Sequence, residues 1–91
     1  MNMQQAQPDE TKATIKQYIT QEFLYDRPEV NLTDDFPVMQ QRVIDSLQII
    51  QLLSFLQEKF DLIFNAEDLT LENFASVNEV AALVERYRVV A

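Results

Sequence analysis

The sequence predicts an all-α fold: a four-helix bundle with a short third helix and a long loop between helices 1 and 2. Three observations lead to this prediction. Apolar residues recur at helical spacing in three separate stretches, capping patterns precede two of them, and no credible strand pattern is found. With 91 residues, 47% of them hydrophobic, the chain has material for one small core. We therefore expect one domain over residues 8–91, preceded by a disordered tail over residues 1–7.

The first helix is expected to begin at Pro8, because proline is tolerated in the first turn and Asp9 and Glu10 favour the positive end of the helix dipole. Its apolar face is formed by Ile15, Tyr18, Ile19 and Phe23. Pro28 is expected to end it, since the residue before a proline avoids helical angles. Residues 29–44 then form the long loop, which apolar side chains should hold against the core: Leu32, Phe36, Val38 and Met39.

The second helix is expected to start at a capping box made by Asp45 and Gln48. Its inward stripe, which Leu52 widens, is predicted to contain Ile49, Leu53, Leu56 and Phe60. The helix should end near Asp61. Because the chain has no glycine, its left-handed backbone positions must fall to residues such as Asn31, Asn65, Asn73 or Asp61.

The remaining two helices are predicted from capping signals. Residues 65–69 have the pattern of a short third helix with an asparagine cap. Ser76 and Glu79 form a second capping box and begin the fourth helix, whose last turn contains Arg86 and Arg88. Its apolar positions are Val77, Val80, Ala81, Leu83, Val84 and Tyr87.

The charge of the chain limits its partners. With 15 acidic and 7 basic residues the net charge is −8, which argues against nucleic-acid binding, since that affinity comes from lysine and arginine. Acidity suits a basic partner, although many acidic proteins are merely well solvated. No apolar run is long enough to span a membrane, and no signal-peptide pattern occurs, so a cytoplasmic protein is expected.

Several kinds of chemistry are excluded by composition. The chain has no histidine and no cysteine, which removes the usual base for a serine nucleophile and the usual ligands of zinc. Without glycine there is no glycine-rich phosphate loop and no EF-hand. No lysine carries a sequence signal for pairing with a serine, and no carboxylate spacing indicates a metal site. We therefore expect neither intrinsic catalysis nor a bound metal.

The Asp45-Ser46 pair at the start of the second helix has two interpretations. It can be an ordinary helix start, because serine and aspartate both favour such positions. Alternatively, the Ser46 hydroxyl receives a phosphate-containing group from another enzyme, and the unpaired N–H groups of the helix start stabilise it. Asp45 opposes a phosphate electrostatically, so it would orient the loop or assist the modifying enzyme.

A resemblance favours the second interpretation. The sequence Ile-Asp-Ser-Leu at residues 44–47, with the apolar helix after it, resembles the phosphopantetheine attachment region of acyl and peptidyl carrier proteins. Residues 60–64 resemble the loop after that family's second helix, and residues 67–69 and 72–77 resemble its third helix and the entry to the fourth. The resemblance covers about residues 12–88. The Asn-Phe-x-Ser-Val pattern is most similar to discrete carriers of nonribosomal peptide and polyketide assembly.

The resemblance implies a function. Ser46 would be esterified with 4′-phosphopantetheine from coenzyme A by a phosphopantetheinyl transferase, with Asp45 in a supporting role. An adenylating acyl- or aminoacyl-ligase would load the thiol of this arm. Downstream condensation or tailoring enzymes would receive the thioester from a monomeric carrier that does no chemistry itself. The chain would then need no cysteine of its own.

The resemblance also implies a docking surface along the second helix. By position it comprises Leu47, Ile50, Gln51, Ser54, Glu58, Glu67 and Asp68. Two bland alternatives remain: Ile50 could be a core residue, and the acids could form a solvated face. Gln48, Gln51 and Gln57 stand on a helix that is acidic in fatty-acid carriers, which favours apolar and amide contacts with partners.

The chain departs from the family pattern just before Asp45, and two rival functions remain open. Carriers usually have glycine two or three residues before the aspartate, where this chain has Val43 and Arg42, so the approach to Ser46 is expected to be stiffer or differently turned. The rivals are a cofactor-free acidic helical interaction domain and a switch in which Ser46 receives plain phosphate.

Overall fold

The computed structural model describes residues 8–88, and this part of the chain is all-α. It contains three α-helices: α1 (Pro8–Phe23), α2 (Ser46–Phe60) and α3 (Val77–Arg88). Two single-turn 3₁₀ helices, Ala66–Asp68 and Glu72–Phe74, lie between α2 and α3. The tail predicted over residues 1–7 lies outside the described residues. Within residues 8–88, no helix combines the length and the apolar character needed to cross a membrane.

The predicted short third helix is a single 3₁₀ turn, so the described residues contain three α-helices and the four-helix bundle is not confirmed. The Asn65 side chain makes no capping hydrogen bond, and Leu69 leaves the helical region at φ −88° and ψ 69°. Hydrogen bonds to distant groups hold the segment instead. The Asn65 N–H donates to the Tyr87 hydroxyl oxygen at 2.7 Å, and Asn73 Nδ2 donates to the Asp68 carbonyl at 2.7 Å.

The end of α1 also differs from the prediction. The helix stops at Phe23, five residues before Pro28. Phe23 and Leu24 are both buried, and in the turn that follows the helix the Arg27 N–H donates to the Leu24 carbonyl at 3.0 Å. The helix therefore ends in a backbone turn that begins at Leu24, before the chain reaches Pro28. Residues 24–45 form no α-helix or strand.

The core lies where α1 and α3 pack against each other, with α2 across them. In α2 the fully buried residues are Leu52 and Leu56, whereas Leu53 is only half-buried. The predicted stripe, which Leu52 widens, is thus most deeply buried at Leu52 and Leu56, while Ile49, Leu53 and Phe60 are partly buried and pack against the core. From the other elements the fully buried side chains are Ile15, Ile19, Val38, Ile44, Phe74, Val77, Val80, Leu83 and Val84.

Polar contacts fix the pairing of α1 with α3. The Thr11 hydroxyl, which is buried, donates to the Glu85 carboxylate and accepts from Arg88 Nη1 at 3.3 Å. Arg88 also lies 3.6 Å from that carboxylate. The three groups satisfy one another at the edge of the core, which fixes the register of the two helices.

Candidate functional site

The start of α2 is closed by the predicted capping box. Asp45 has extended backbone angles, φ −111° and ψ −175°, and its Oδ1 accepts the Gln48 N–H at 2.9 Å. The Gln48 side chain returns the contact, because its Oε1 accepts the Asp45 N–H at 3.0 Å. The Asp45 carbonyl accepts the Ile49 N–H at 2.9 Å, which is the first turn of the helix. Aspartate at this position typically contributes about 1 kcal/mol to stability.

Ser46 is the first residue of α2 and its side chain is exposed. Within the described residues its hydroxyl forms no hydrogen bond. The N–H groups of Ser46 and Leu47 belong to the first turn, where no intrahelical acceptor exists. The positive end of a 15-residue helix dipole thus lies at an accessible hydroxyl. The arrangement fits a covalently attached group with a negative charge.

The chain approaches Ser46 through a tight turn that contains a left-handed residue. Arg42 has φ 61° and donates its N–H to the Met39 carbonyl at 3.2 Å. The Val43 N–H donates to the Val38 carbonyl at 2.8 Å. These two hydrogen bonds, with buried Val38 and Val43 side chains, form a Schellman closure, in which glycine is the usual left-handed residue.

The left-handed conformation of Arg42 was not among the sequence predictions. Within the described residues, the positive φ angles are those of Arg42 and Asp61, at 61° and 55°. Asp61, at the end of α2, is as predicted, whereas Asn31, Asn65 and Asn73 are not left-handed. The signal that could have identified Arg42 was its place three residues before Asp45, where the resembling carriers have glycine.

Burial of the two residues before the cap holds the site in place. Val43 and Ile44 are only 2% and 1% exposed, and the Ile44 N–H also donates to the Val38 carbonyl, at 3.2 Å. The Val38 N–H in turn donates to the Ala75 carbonyl at 3.0 Å, just before α3. The position of Ser46 is therefore set by the core as well as by its own helix.

A cavity of about 490 Å³ opens beside Ser46. It is lined by Met39, Gln40, Arg42, Ile44, Asp45 and Ser46. Arg42 is the cation of this lining and Asp45 is its anion. Arg42 and two apolar residues, Met39 and Ile44, thus line the same cavity as Ser46.

The exposed face of α2 extends from Ser46 toward the other end of the helix. Leu47 and Ile50 are 66% and 59% exposed, so Ile50 is not a core residue. Gln51, Ser54 and Glu58 are exposed as well. Beyond the helix, Ile63 is 80% exposed, although sequence reasoning did not select it. It lines a second cavity, of about 640 Å³, with Ser54, Gln57, Glu58, Asp61 and Leu62.

The two acids predicted beside this face have different environments. Glu67 is exposed. Asp68 is half-buried, and its carboxylate accepts a hydrogen bond from the Tyr87 hydroxyl. This hydrogen bond is the main cause of the raised pKa of Tyr87. Asp68 is therefore engaged within the fold, and Glu67 is the more accessible of the two.

Comparison with known proteins identifies a family. The family model described as phosphopantetheine attachment site matches residues 13–84, a range that includes α2 and the Asp45-Ser46 pair. No curated protein matches the chain significantly. Members of the matched family bind 4′-phosphopantetheine covalently. Such domains are generally carriers without catalytic activity, and they interact with phosphopantetheinyl transferases and with biosynthetic enzymes.

Proposed function

Because the chain belongs to the phosphopantetheine-attachment family, we propose that it is a carrier domain whose 4′-phosphopantetheine arm is attached to Ser46. The observation that carries this proposal is the exposed Ser46 hydroxyl at the start of α2, inside the matched range. When bound, the arm supplies a thiol on which an acyl or aminoacyl group is held as a thioester. The chain has no cysteine, so this thiol would be its only one.

The attachment step needs an external enzyme. Ser46 Oγ would form a bond to the phosphorus that carries pantetheine in coenzyme A, while the pyrophosphate P–O bond breaks and adenosine 3′,5′-bisphosphate leaves. The hydroxyl proton must pass to a base. The chain has no histidine, and Oδ1 of the nearby Asp45 carboxylate already accepts the Gln48 N–H in the capping box. The transferase would therefore supply the base, and this chain supplies an oriented hydroxyl.

The start of α2 favours the product of that step. A phosphodiester bound to Ser46 carries one negative charge at the positive end of the helix dipole, an effect worth about 0.3–1 kcal/mol at an exposed helix end. The capping box uses only the Gln48 N–H of the first turn. The N–H groups of Ser46 and Leu47 therefore remain available as donors to the phosphate. Asp45 would support the site by fixing this geometry.

The docking surface of the carrier would combine Leu47, Ile50 and Ser54 of α2 with Ile63 beyond it. Neighbouring exposed apolar side chains such as Leu47 and Ile50 are typical of an interaction surface, and Ile63 lines a cavity together with Ser54. Gln51 contributes an amide and Glu58 a charge, so apolar and amide contacts would outweigh charge pairing. The proposed partners are an adenylating acyl- or aminoacyl-ligase and downstream condensation or tailoring enzymes of a nonribosomal peptide or polyketide pathway.

Attachment is tested by incubating the protein with coenzyme A and each of several transferases and measuring its intact mass. We expect the addition of one phosphopantetheinyl unit, located on Ser46 by peptide mapping and lost in Ser46→Ala. Thr20→Ala, which removes another exposed hydroxyl, is the matched control and should be modified normally. A wild-type protein that stays unmodified with every transferase would contradict the proposal and favour a cofactor-free interaction domain.

Docking is tested with Ile50→Asp. A charge buried in an interface without a partner is costly, so transfer of cargo to and from partner enzymes should slow by at least tenfold. Ile50 is exposed in the carrier itself, so the melting temperature should stay within about 2 °C of that of the wild type. If transfer rates are unchanged, Ile50 does not belong to the docking surface.

A further inference from the structure

Arg42 has a backbone conformation that does not favour its own side chain. Its φ of 61° is left-handed, which is unfavourable for a residue with a Cβ atom. The other left-handed residue of the described chain is Asp61, a type that tolerates this region better. The turn at Arg42 needs a left-handed residue, and glycine would serve it best. The turn therefore gives no reason for a guanidinium at this position.

The surroundings of Arg42 suggest a reason. Arg42 is exposed and lines the same cavity as Asp45 and Ser46. Within the described residues it forms no ion pair. The cations that form ion pairs there are Lys12, Lys16, Arg27 and Arg88. A cation without an ion-pair partner among the described residues thus lines the same cavity as the hydroxyl proposed to be modified.

Modification of Ser46 would change the charge of this cavity. A phosphodiester places a negative charge next to the Asp45 carboxylate, in a chain that already has a net charge of −8. Repulsion from Asp45 opposes that charge, and an arginine offsets it because its planar guanidinium donates two parallel hydrogen bonds to phosphate oxygens. We propose that Arg42 pairs with the phosphodiester on Ser46 and holds the root of the arm against the start of α2. This inference rests on the function proposed above.

The test compares apo and phosphopantetheinylated protein for each of five chains. These are the wild type, Arg42→Gln, Arg42→Lys, Arg42→Gly and the control Arg86→Gln, which removes an equal charge from an exposed position on α3. For each chain we would measure the melting temperature of the modified form minus that of its own apo form. The phosphorus NMR shift of the modified form gives an independent reading of the phosphodiester environment.

We expect this difference to fall by about 2–5 °C in Arg42→Gln, the size expected for one exposed ion pair in a small domain. It should fall equally in Arg42→Gly, although the apo form of that variant should melt higher than the wild type because the strain is relieved. Arg42→Lys should retain part of the difference, and Arg86→Gln all of it. The effect of Arg42→Gln should shrink at about 1 M salt, where the Debye length is about 3 Å.

Each contrary result has a distinct meaning. If wild type and Arg42→Gln show the same difference and the same phosphorus shift, Arg42 does not contact the arm, whereas the attachment to Ser46 still stands. An equal fall in Arg86→Gln would reduce the effect to net charge and overturn the inference. A slower transferase reaction with Arg42→Gln and no other change would assign Arg42 to transferase recognition instead. Absence of any modification of Ser46 in the wild type would remove the proposed function itself.

Discussion

One left-handed residue precedes α2 and one follows it, and the two differ in what holds them in place. After the helix, Asp61 ends α2 by local contacts: its N–H and that of Leu62 both donate to the Gln57 carbonyl, the latter at 3.1 Å. Before the helix, the turn at Arg42 is followed by two buried side chains, Val43 and Ile44, that anchor it in the core.

The two segments therefore have different roles: the one before α2 fixes the position of Ser46, and the one after α2 leaves a side chain exposed. The segment before α2 is bonded to the region that leads into α3, through the Val38 N–H and the Ala75 carbonyl, so it holds Ser46 at a defined place. The segment after α2 leaves Ile63 almost fully accessible. One end of the helix therefore holds a modification site, and the other adds an apolar side chain to the proposed docking surface.

The largest expected effect compares two isoleucines that flank α2. Ile44→Ala should lower the free energy of unfolding by about 2–5 kcal/mol, because a fully buried side chain is lost and a cavity remains. Ile63→Ala should change it by less than about 0.5 kcal/mol, because that side chain is 80% exposed. Urea unfolding of the two variants measures both values. Similar losses would mean that the two segments do not differ in the way described.

A smaller effect is expected from glycine at the two left-handed positions. Arg42→Gly should raise the free energy of unfolding of the apo protein by about 1 kcal/mol, since it removes the Cβ clash at φ 61°. Asp61→Gly should gain less, roughly half of this or below, because aspartate already tolerates the region. Both are measured by thermal and urea unfolding. A loss of stability in Arg42→Gly would show that its side chain contributes more to the turn than its backbone costs.

The smallest effects concern pH and have opposite signs on the two sides of α2. Before α2, a hydrogen bond from Lys16 lowers the pKa of Asp34, with Lys16 Nζ 2.8 Å from Oδ1. A lowered folded-state pKa gives stability that is present above the ordinary value of 3.8 and is lost as pH falls through the folded-state value. After α2, the hydrogen bond to Asp68 raises the pKa of Tyr87, so its contribution is present below 10.0 and is lost as pH rises further.

Two variants test these signs in melting temperatures measured across pH. Asp34→Asn should flatten the profile on the acid side only, and Tyr87→Phe on the alkaline side only. Some alkaline loss should persist in Tyr87→Phe, because burial also raises the pKa of Tyr18. A Tyr87→Phe profile identical to that of the wild type above pH 10 would show that this hydroxyl is not linked to folding.

Sequence reasoning predicted the elements whose determinants lie within one or two helical turns. The capping box of Asp45 and Gln48, the end of α2 at Asp61 and the start of the last helix near Ser76 all agree with the structure. Each depends on side-chain and backbone groups only three or four residues apart, so the pattern and the contact coincide. The position of Ser46 at the start of α2 was predicted from the same local pattern.

Predictions were wrong where distant contacts compete with local preference. Residues 65–69 have the local pattern of a helix, yet the Tyr87 hydroxyl binds the Asn65 N–H and the Asp68 carboxylate, and the segment makes a 3₁₀ turn. In α2, periodicity placed Leu53 in the inward stripe and Leu52 at its side, whereas packing against α1 and α3 buries Leu52 fully and Leu53 only partly. A sequence pattern shows which residues share a helix face but not how far that face is rotated toward its neighbours.

By itself, the sequence determined the three helices that have a long apolar stripe and the position of Ser46 at the capped start of α2. It also determined that the chain has no histidine, cysteine or glycine for the other kinds of site considered. Only the tertiary structure decided where the turn at Arg42 lies, because Val38, which closes the turn, donates its N–H to the Ala75 carbonyl, 37 residues along the chain. Only the tertiary structure showed that Ile63 is exposed, since the burial of a side chain depends on which neighbours surround it. The groups that form a local hydrogen bond lie within a few residues of each other in the sequence, whereas the burial of a side chain depends on the whole assembled core.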